Sequence, residues 1–141
     1  MKTIFYFLTS FLISSCTYQS LDTVDDISGY PPEVKEILVK KCATSGCHNE
    51  ISKETAGGIS FETWNSMFEG GNGGAVTIPY RPDYSVTMFF VNTDSTRGIS
   101  LLPTMPYNSA PLSFAEYSVL KDWIAKGASD KNGFVKFSEY I

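Results

Sequence analysis

The chain has 141 residues, enough for one domain and too few for two comfortable ones. Hydrophobic residues make up 43% and aromatics 14%, which suits a globular core, and the formal net charge of −4 argues against a nucleic-acid partner, which would favour a basic face. One histidine beside three cysteines and four methionines excludes a multi-histidine metal site, so any metal here must be held largely by something else.

The first segment reads as an address. Lys2 precedes an almost wholly apolar run, Ile4 to Ile13, interrupted by Thr9 and Ser10. That is short of the about 20 residues that span a bilayer, and it fits the apolar region of a secretory signal. It ends Ile13-Ser14-Ser15-Cys16, which resembles the bacterial lipobox, where the cysteine is lipidated and becomes the new N-terminus. The expected organisation is a lipoprotein signal peptide over 1–15, a polar, acidic tether over 16–30, one domain over 31–130 and a tail over 131–141. A plain signal peptide with an incidental cysteine is the alternative. No later segment is long enough to span a membrane, so acylation of Cys16 would be the anchor. Thr17 is not the aspartate that retains a lipoprotein at the inner membrane, which points towards the outer membrane and the periplasm.

In the domain, Pro31-Pro32-Glu33 opens a helix, proline being preorganised for the first turn and an acid suiting its positive end. Val34, Ile37, Leu38 and Cys42 then form one apolar face that carries Cys42 inward. Gly46 separates this helix from Cys47-His48, and 49–60 reads as loop. The spacing predicts a short helix over Phe61–Phe68 with Ser60 as N-cap, then an emphatic turn at Gly70-Gly71-Asn72-Gly73-Gly74. Ile78-Pro79-Tyr80-Arg81-Pro82 is extended, and Asp83 can cap a helix over Tyr84–Val91. A long loop over 92–112 contains Pro103, Pro106 and Pro111. Ser113 and Glu116 form a capping box for the clearest helix, whose stripe is Tyr117, Leu120 and Ile124 with Val119 and Trp123 alongside, and Gly127 stops it. Asp130-Lys131-Asn132-Gly133 is a turn. The fold class is all-α: about four short helices with long loops. That is little regular structure for about 100 residues, and a bulky apolar group at the centre, such as haem, would complete it.

The chemistry lies in Cys42-Ala43-Thr44-Ser45-Gly46-Cys47-His48. The usual haem-attachment motif is Cys-x-x-Cys-His. Two thiols add to the porphyrin vinyl groups, and the histidine that directly follows the second cysteine is brought beneath the iron. Here the histidine does follow directly, but the spacer has four residues, so two must bulge outward. Ala43, Thr44, Ser45 and Gly46 are small enough for that. The residues leave other readings open. Cys42 and Cys47 could form a disulfide in an exported protein. A zinc site would need four ligands, and no second Cys/His pair exists. For a second axial ligand methionine is the natural choice. Met67 and Met88 lie in aromatic-rich helical segments as core filler, whereas Met105 is bracketed by Pro103 and Pro106 in a stiff loop.

Taken in order, these motifs resemble a known family. From about Val34 to Ala128 the chain is similar to a class I-type cytochrome c domain, of the variety common in planctomycete and Bacteroidetes-like bacteria. The resemblance rests on Ile37 to Cys42, Cys47-His48, Gly57-Gly58-Ile59-Ser60-Phe61, the glycine cluster before Ile78 to Ser85, Met105-Pro106, Leu112-Ser113-x-x-Glu116 and Trp123 to Ala128. It implies a small cytochrome c-like fold around one covalent haem c, with Cys42 and Cys47 as thioether positions, His48 as proximal ligand and Met105 as distal ligand. It also implies that the first and last helices cross near the haem edge, and that Arg81 partners a propionate. The implied function is single-electron transfer between redox protein partners, not catalysis. Two alternatives stand beside it: a five-coordinate haem sensor or peroxidase-like module, and a disulfide-stapled lipoprotein that serves as an interaction module.

Overall fold

The computed structural model describes residues 26–137. The signal segment, Cys16 and most of the tether lie outside them. Among the described residues the chain is all-α: four α-helices, short 3-10 turns and long loops, with a single isolated bridge between Gly71 and Gly74 and no strand.

Helix α1 (Pro32–Ile37) opens at Pro32, as the proline pair requires, and runs straight into a π-helical turn over Leu38–Cys42. The turn is closed by the Ala43 amide on the Leu38 carbonyl, 2.9 Å. Val34, Ile37, Leu38 and Cys42 are all buried, so the apolar face read from their spacing is the face that packs. Helix α4 (Phe114–Ala125) carries the reciprocal Ser113–Glu116 cap and buries Tyr117, Leu120, Trp123 and Ile124. Helices α1 and α3 (Val86–Val91) both pack on α4, which is therefore the central element. Leu38, Leu120, Ile124 and Val34 lie fully inside, each contributing roughly 1.5–3 kcal/mol by burial.

Two helices differ from their predicted bounds, each because a side chain or main-chain group is committed elsewhere. Helix α2 spans Trp64–Met67 and is capped by Thr63, not Ser60. The Phe61 amide donates to the His48 carbonyl at 2.8 Å, which holds Phe61 in the loop beneath the cysteine segment and delays the helix. Thr63 and Ser66 then exchange a capping box of their own. Before α3, Pro82–Tyr84 forms a separate 3-10 turn. Ser85 accepts from the Ile78 amide and donates to the Arg81 carbonyl, both at 2.9 Å. Asp83 faces Lys121 of α4 at 3.8 Å and caps nothing.

The domain boundaries also shift. The tether expected over 16–30 ends sooner, because Ser28, Gly29 and Tyr30 belong to the packed body. Tyr30 is fully buried, donates its hydroxyl to the Thr63 carbonyl at 2.9 Å and meets Trp123 edge-on at 6.0 Å. The segment after 130 is likewise not free: the Lys131 amide donates to the Gly29 carbonyl, and Phe134 stacks edge-on against Trp64.

Two glycines are required by close approach. A Cβ on Gly71 would sit 2.5 Å from the Ile59 side chain and 2.6 Å from the Gly57 carbonyl. It would part the loop at 57–59 from the turn at 70–74, which the Asn72 amide joins to Gly57 at 2.8 Å. Gly127, at φ +105°, ends α4 and makes room for the Tyr80 ring, 2.8 Å from where a Cβ would stand.

Candidate functional site

Cys42 is the last residue of the π turn and is buried; Cys47 and His48 follow on the next loop, half-buried. Both thiols are free. The His48 amide donates to the Cys42 carbonyl at 3.0 Å, so the main chain closes directly from the histidine to the first cysteine. Of the four residues between the cysteines, Ala43 packs against the core and the other three face solvent. Thr44, Ser45 and Gly46 are exposed, Gly46 has φ +78°, and the Thr44 carbonyl accepts from the Cys47 amide and from Asn49 Nδ2.

The His48 ring meets Phe61 edge-on, centroids 5.5 Å apart. Its Nδ1 is buried and has no hydrogen-bond partner. Burial pulls the imidazole below its ordinary pKa, against the carbonyls of Ile59 and Ala56, which favour a protonated ring. The shift favours the neutral ring, the form that can donate a lone pair to a metal. Burial, then the charge on neighbouring Cys47, pushes the Cys42 thiol up to about 12, with Lys41 acting the other way.

Met105 is half-buried at the edge of the core, whereas Met67 and Met88 are inside it, as their helical settings predict. The Met105 loop is fastened to the end of α3: the Met105 amide donates to the Phe90 carbonyl and the Leu101 amide to the Phe89 carbonyl, both at 2.9 Å. Its hydrogen bonds thus run to α3 and not to the Cys42–His48 turn. The fully buried Asn92, which the sequence reading passed over, organises the loop's first half. Its Nδ2 donates to the Gly98 and Ile99 carbonyls at 3.2 and 3.1 Å, and its Oδ1 accepts from the Asp94 amide.

Arg81 is exposed, with its guanidinium 5.0 Å from the Tyr84 ring centroid. The adjoining Tyr80 amide bonds the Ile124 carbonyl at the C-terminal end of α4. Lys41, next to Cys42, pairs with Glu116 at the N-terminal end, about 12 Å away along the axis. The arginine near that N-terminal end is Arg97, whose guanidinium lies 4.4 Å from the Phe114 ring centroid and pairs with Asp94 at 3.1 Å. A small cleft of about 150 Å³ lies between α3, residues 97–99 and Tyr117, and its lining includes none of Cys42, Cys47, His48 or Met105.

Large apolar side chains stand in solvent beside the cysteine segment and along the methionine loop. Ile51 is 95% exposed and Leu102 82%, with Ile99, Leu101 and Tyr107 also exposed. Among the described residues, no group of three His, Cys, Asp or Glu side chains is placed to hold a metal ion, and no helix is long and apolar enough to cross a membrane. Comparison with protein-family models, with curated proteins and with solved structures finds no match to this chain.

Proposed function

We propose that this chain is a monohaem c-type cytochrome of the class I type, exported, lipid-anchored through Cys16 and serving as a single-electron carrier. The observation that carries the proposal is the Cys42–His48 turn. It presents two free thiols and, directly after the second, a histidine whose buried Nδ1 lacks a protein partner. These residues fit the group: each thiol can add its S–H across a vinyl double bond, and the shift of the imidazole favours the form that binds iron. The exposed apolar side chains of Ile51 and of Ile99, Leu101, Leu102 and Tyr107 support this reading, since an apolar macrocycle would cover side chains of that kind.

Haem would supply reversible one-electron chemistry at its iron. Cys42 and Cys47 would hold it covalently, so that it does not dissociate outside the cytoplasm. His48 and Met105 would hold its iron, and with both bound small ligands would be kept out. Both ligands are carried on segments with limited freedom, one closed by the His48–Cys42 main-chain bond and the other tied to the carbonyls of α3. Arg81 enters as the propionate partner that the resemblance implies. The cytochrome c-like arrangement of the four helices belongs to this proposal, supported by the packing of α1 on α4.

The test is expression of the full chain with a c-type maturation system. The expected outcome is a reduced protein with c-type absorbance bands and a mass increase of roughly 600 Da; a colourless, folded protein about 2 Da lighter, from a Cys42–Cys47 disulfide, overturns it. Carbon monoxide separates the carrier from a five-coordinate sensor or peroxidase-like module. The reduced carrier does not bind it, and Met105→Ala does.

A further inference from the structure

The two ends of the described chain meet on one face. Lys131 Nζ donates to the Asp26 carbonyl at 2.7 Å, the Lys131 amide to the Gly29 carbonyl at 2.9 Å, and the Trp64 amide to the Ser28 carbonyl at 2.7 Å. From Trp64 the contacts run outward through aromatic rings. Trp64 meets Phe134 at 5.9 Å and Phe68 at 4.9 Å, and Phe68 meets Phe137 at 5.8 Å. The Lys136 ammonium lies 5.9 Å from the Trp64 centroid and 5.4 Å from that of Phe68. The outer apolar surface of this face stands in water: Ile27 is 86% exposed, Phe134 60% and Phe137 50%. Its acids are engaged. Asp26 pairs with Lys35 at 3.1 Å, and the Asp130 carboxylate accepts from the Asn132 and Phe134 amides at 2.8 Å each.

We propose that this face rests on the bilayer surface, with Ile27, Phe134 and Phe137 at the headgroup–acyl boundary and Lys131 and Lys136 among lipid phosphates. The inference rests on the reading of Cys16 as the lipid-bearing residue. Nine residues, 17–25, separate Cys16 from Asp26. A segment of that length reaches at most about 33 Å, so the face around Asp26 is the first part of the described domain within reach of the membrane. Apolar and aromatic side chains rimmed by lysine are the composition of an interfacial surface. Anionic headgroups complement Lys131 and Lys136. The consequence is a domain held in one orientation to the membrane, with its redox site at a fixed bearing.

The test uses the full lipoprotein in phosphatidylethanolamine–phosphatidylglycerol vesicles that carry a trace of diazirine-labelled phosphatidylglycerol. After photolysis, the crosslinked peptides are mapped by mass spectrometry. Crosslinks on the peptides bearing Ile27 and 131–137 are expected, and Phe134→Ser/Phe137→Ser should lower their yield by at least about tenfold. Ile27→Ser, at a position too exposed to disturb folding, should lower it by a smaller factor. Crosslinks confined to 17–25, concentrated on the 99–107 loop, or unchanged in these variants overturn the proposal. The same spectra report the acyl mass on Cys16. Its presence without crosslinks on this face defeats the orientation alone, and its absence defeats the anchor and the orientation together.

Discussion

Replacing Glu116 tests how the cysteine segment is joined to the central helix. Its carboxylate closes the α4 cap, accepting from the Ser113 amide at 2.9 Å and the Ser113 hydroxyl at 3.0 Å, and it pairs with Lys41, the neighbour of Cys42. Glu116→Gln keeps an acceptor for Ser113 and removes the charge. The side chains of Lys41 and Glu116 are 39% and 28% exposed, so the loss is that of a partly screened pair, about 0.5 kcal/mol. Glu116→Ala removes the cap as well and costs about 1 kcal/mol more, which together lowers the melting temperature by about 6 °C. Lys41 first, then Ser113, holds the Glu116 carboxyl below its ordinary value of 4.5, so on acidification the unfolded chain takes up this proton before the folded one does. The contribution is thus complete above the ordinary carboxyl value and is lost as pH falls below it, through the lowered value of the folded chain. Urea unfolding followed by circular dichroism should separate wild type from Glu116→Gln at neutral pH and bring them together once the folded carboxyl is protonated. In Lys41→Gln/Glu116→Gln the combined loss should be smaller than the sum of the two single losses. A difference that persists in acid, or fully additive losses, would refute the coupling.

Asn92→Ala should cost about 2 kcal/mol, by stripping partners from the Gly98 and Ile99 carbonyls and the Asp94 amide, and should make residues 93–100 the first site of limited proteolysis. Gly71→Ala should cost at least about 2 kcal/mol in denaturant unfolding, since its Cβ would collide with both Ile59 and the Gly57 carbonyl; a cost below half of that would mean the two loops part easily. In haem-free chain at about pH 8, iodoacetamide should modify half-buried Cys47 at least about tenfold faster than Cys42, whose thiol is buried and pushed up to about 12. Equal rates by peptide mapping would show that Cys42 is not enclosed.

The helices most legible in the sequence were those whose signals are local and redundant. At α4 the capping box, the apolar stripe and Gly127 agree, and its bounds follow from them. The inward face of α1 was equally plain, but its ending in a π turn was not, because side-chain spacing reports which residues face the core and not how the last carbonyls are shared. The start of α2 was misplaced because the bond that decides it, Phe61 to His48, joins residues thirteen apart in sequence. Asn92 was missed for the same reason: an asparagine in a long loop looks like a turn residue until its four loop partners are folded around it. Of the candidate site, the segment Cys42–His48 was legible because its residues are contiguous. Met105 and Arg81 depend on long-range placement: main-chain bonds tie the Met105 loop to α3 and the residue before Arg81 to the Ile124 carbonyl of α4.

The bond from the His48 amide to the Cys42 carbonyl makes the intervening stretch a detour. Cysteine and histidine are clasped at the base of the loop, and Thr44, Ser45 and Gly46 project away from the body. An excursion of a different length between the same two ends would present the same pair at the same spacing, and the sulfur of Cys47 alone would shift. Spacer length then governs where the Cys47 sulfur falls, while the reach from first sulfur to imidazole is set by a single main-chain clasp.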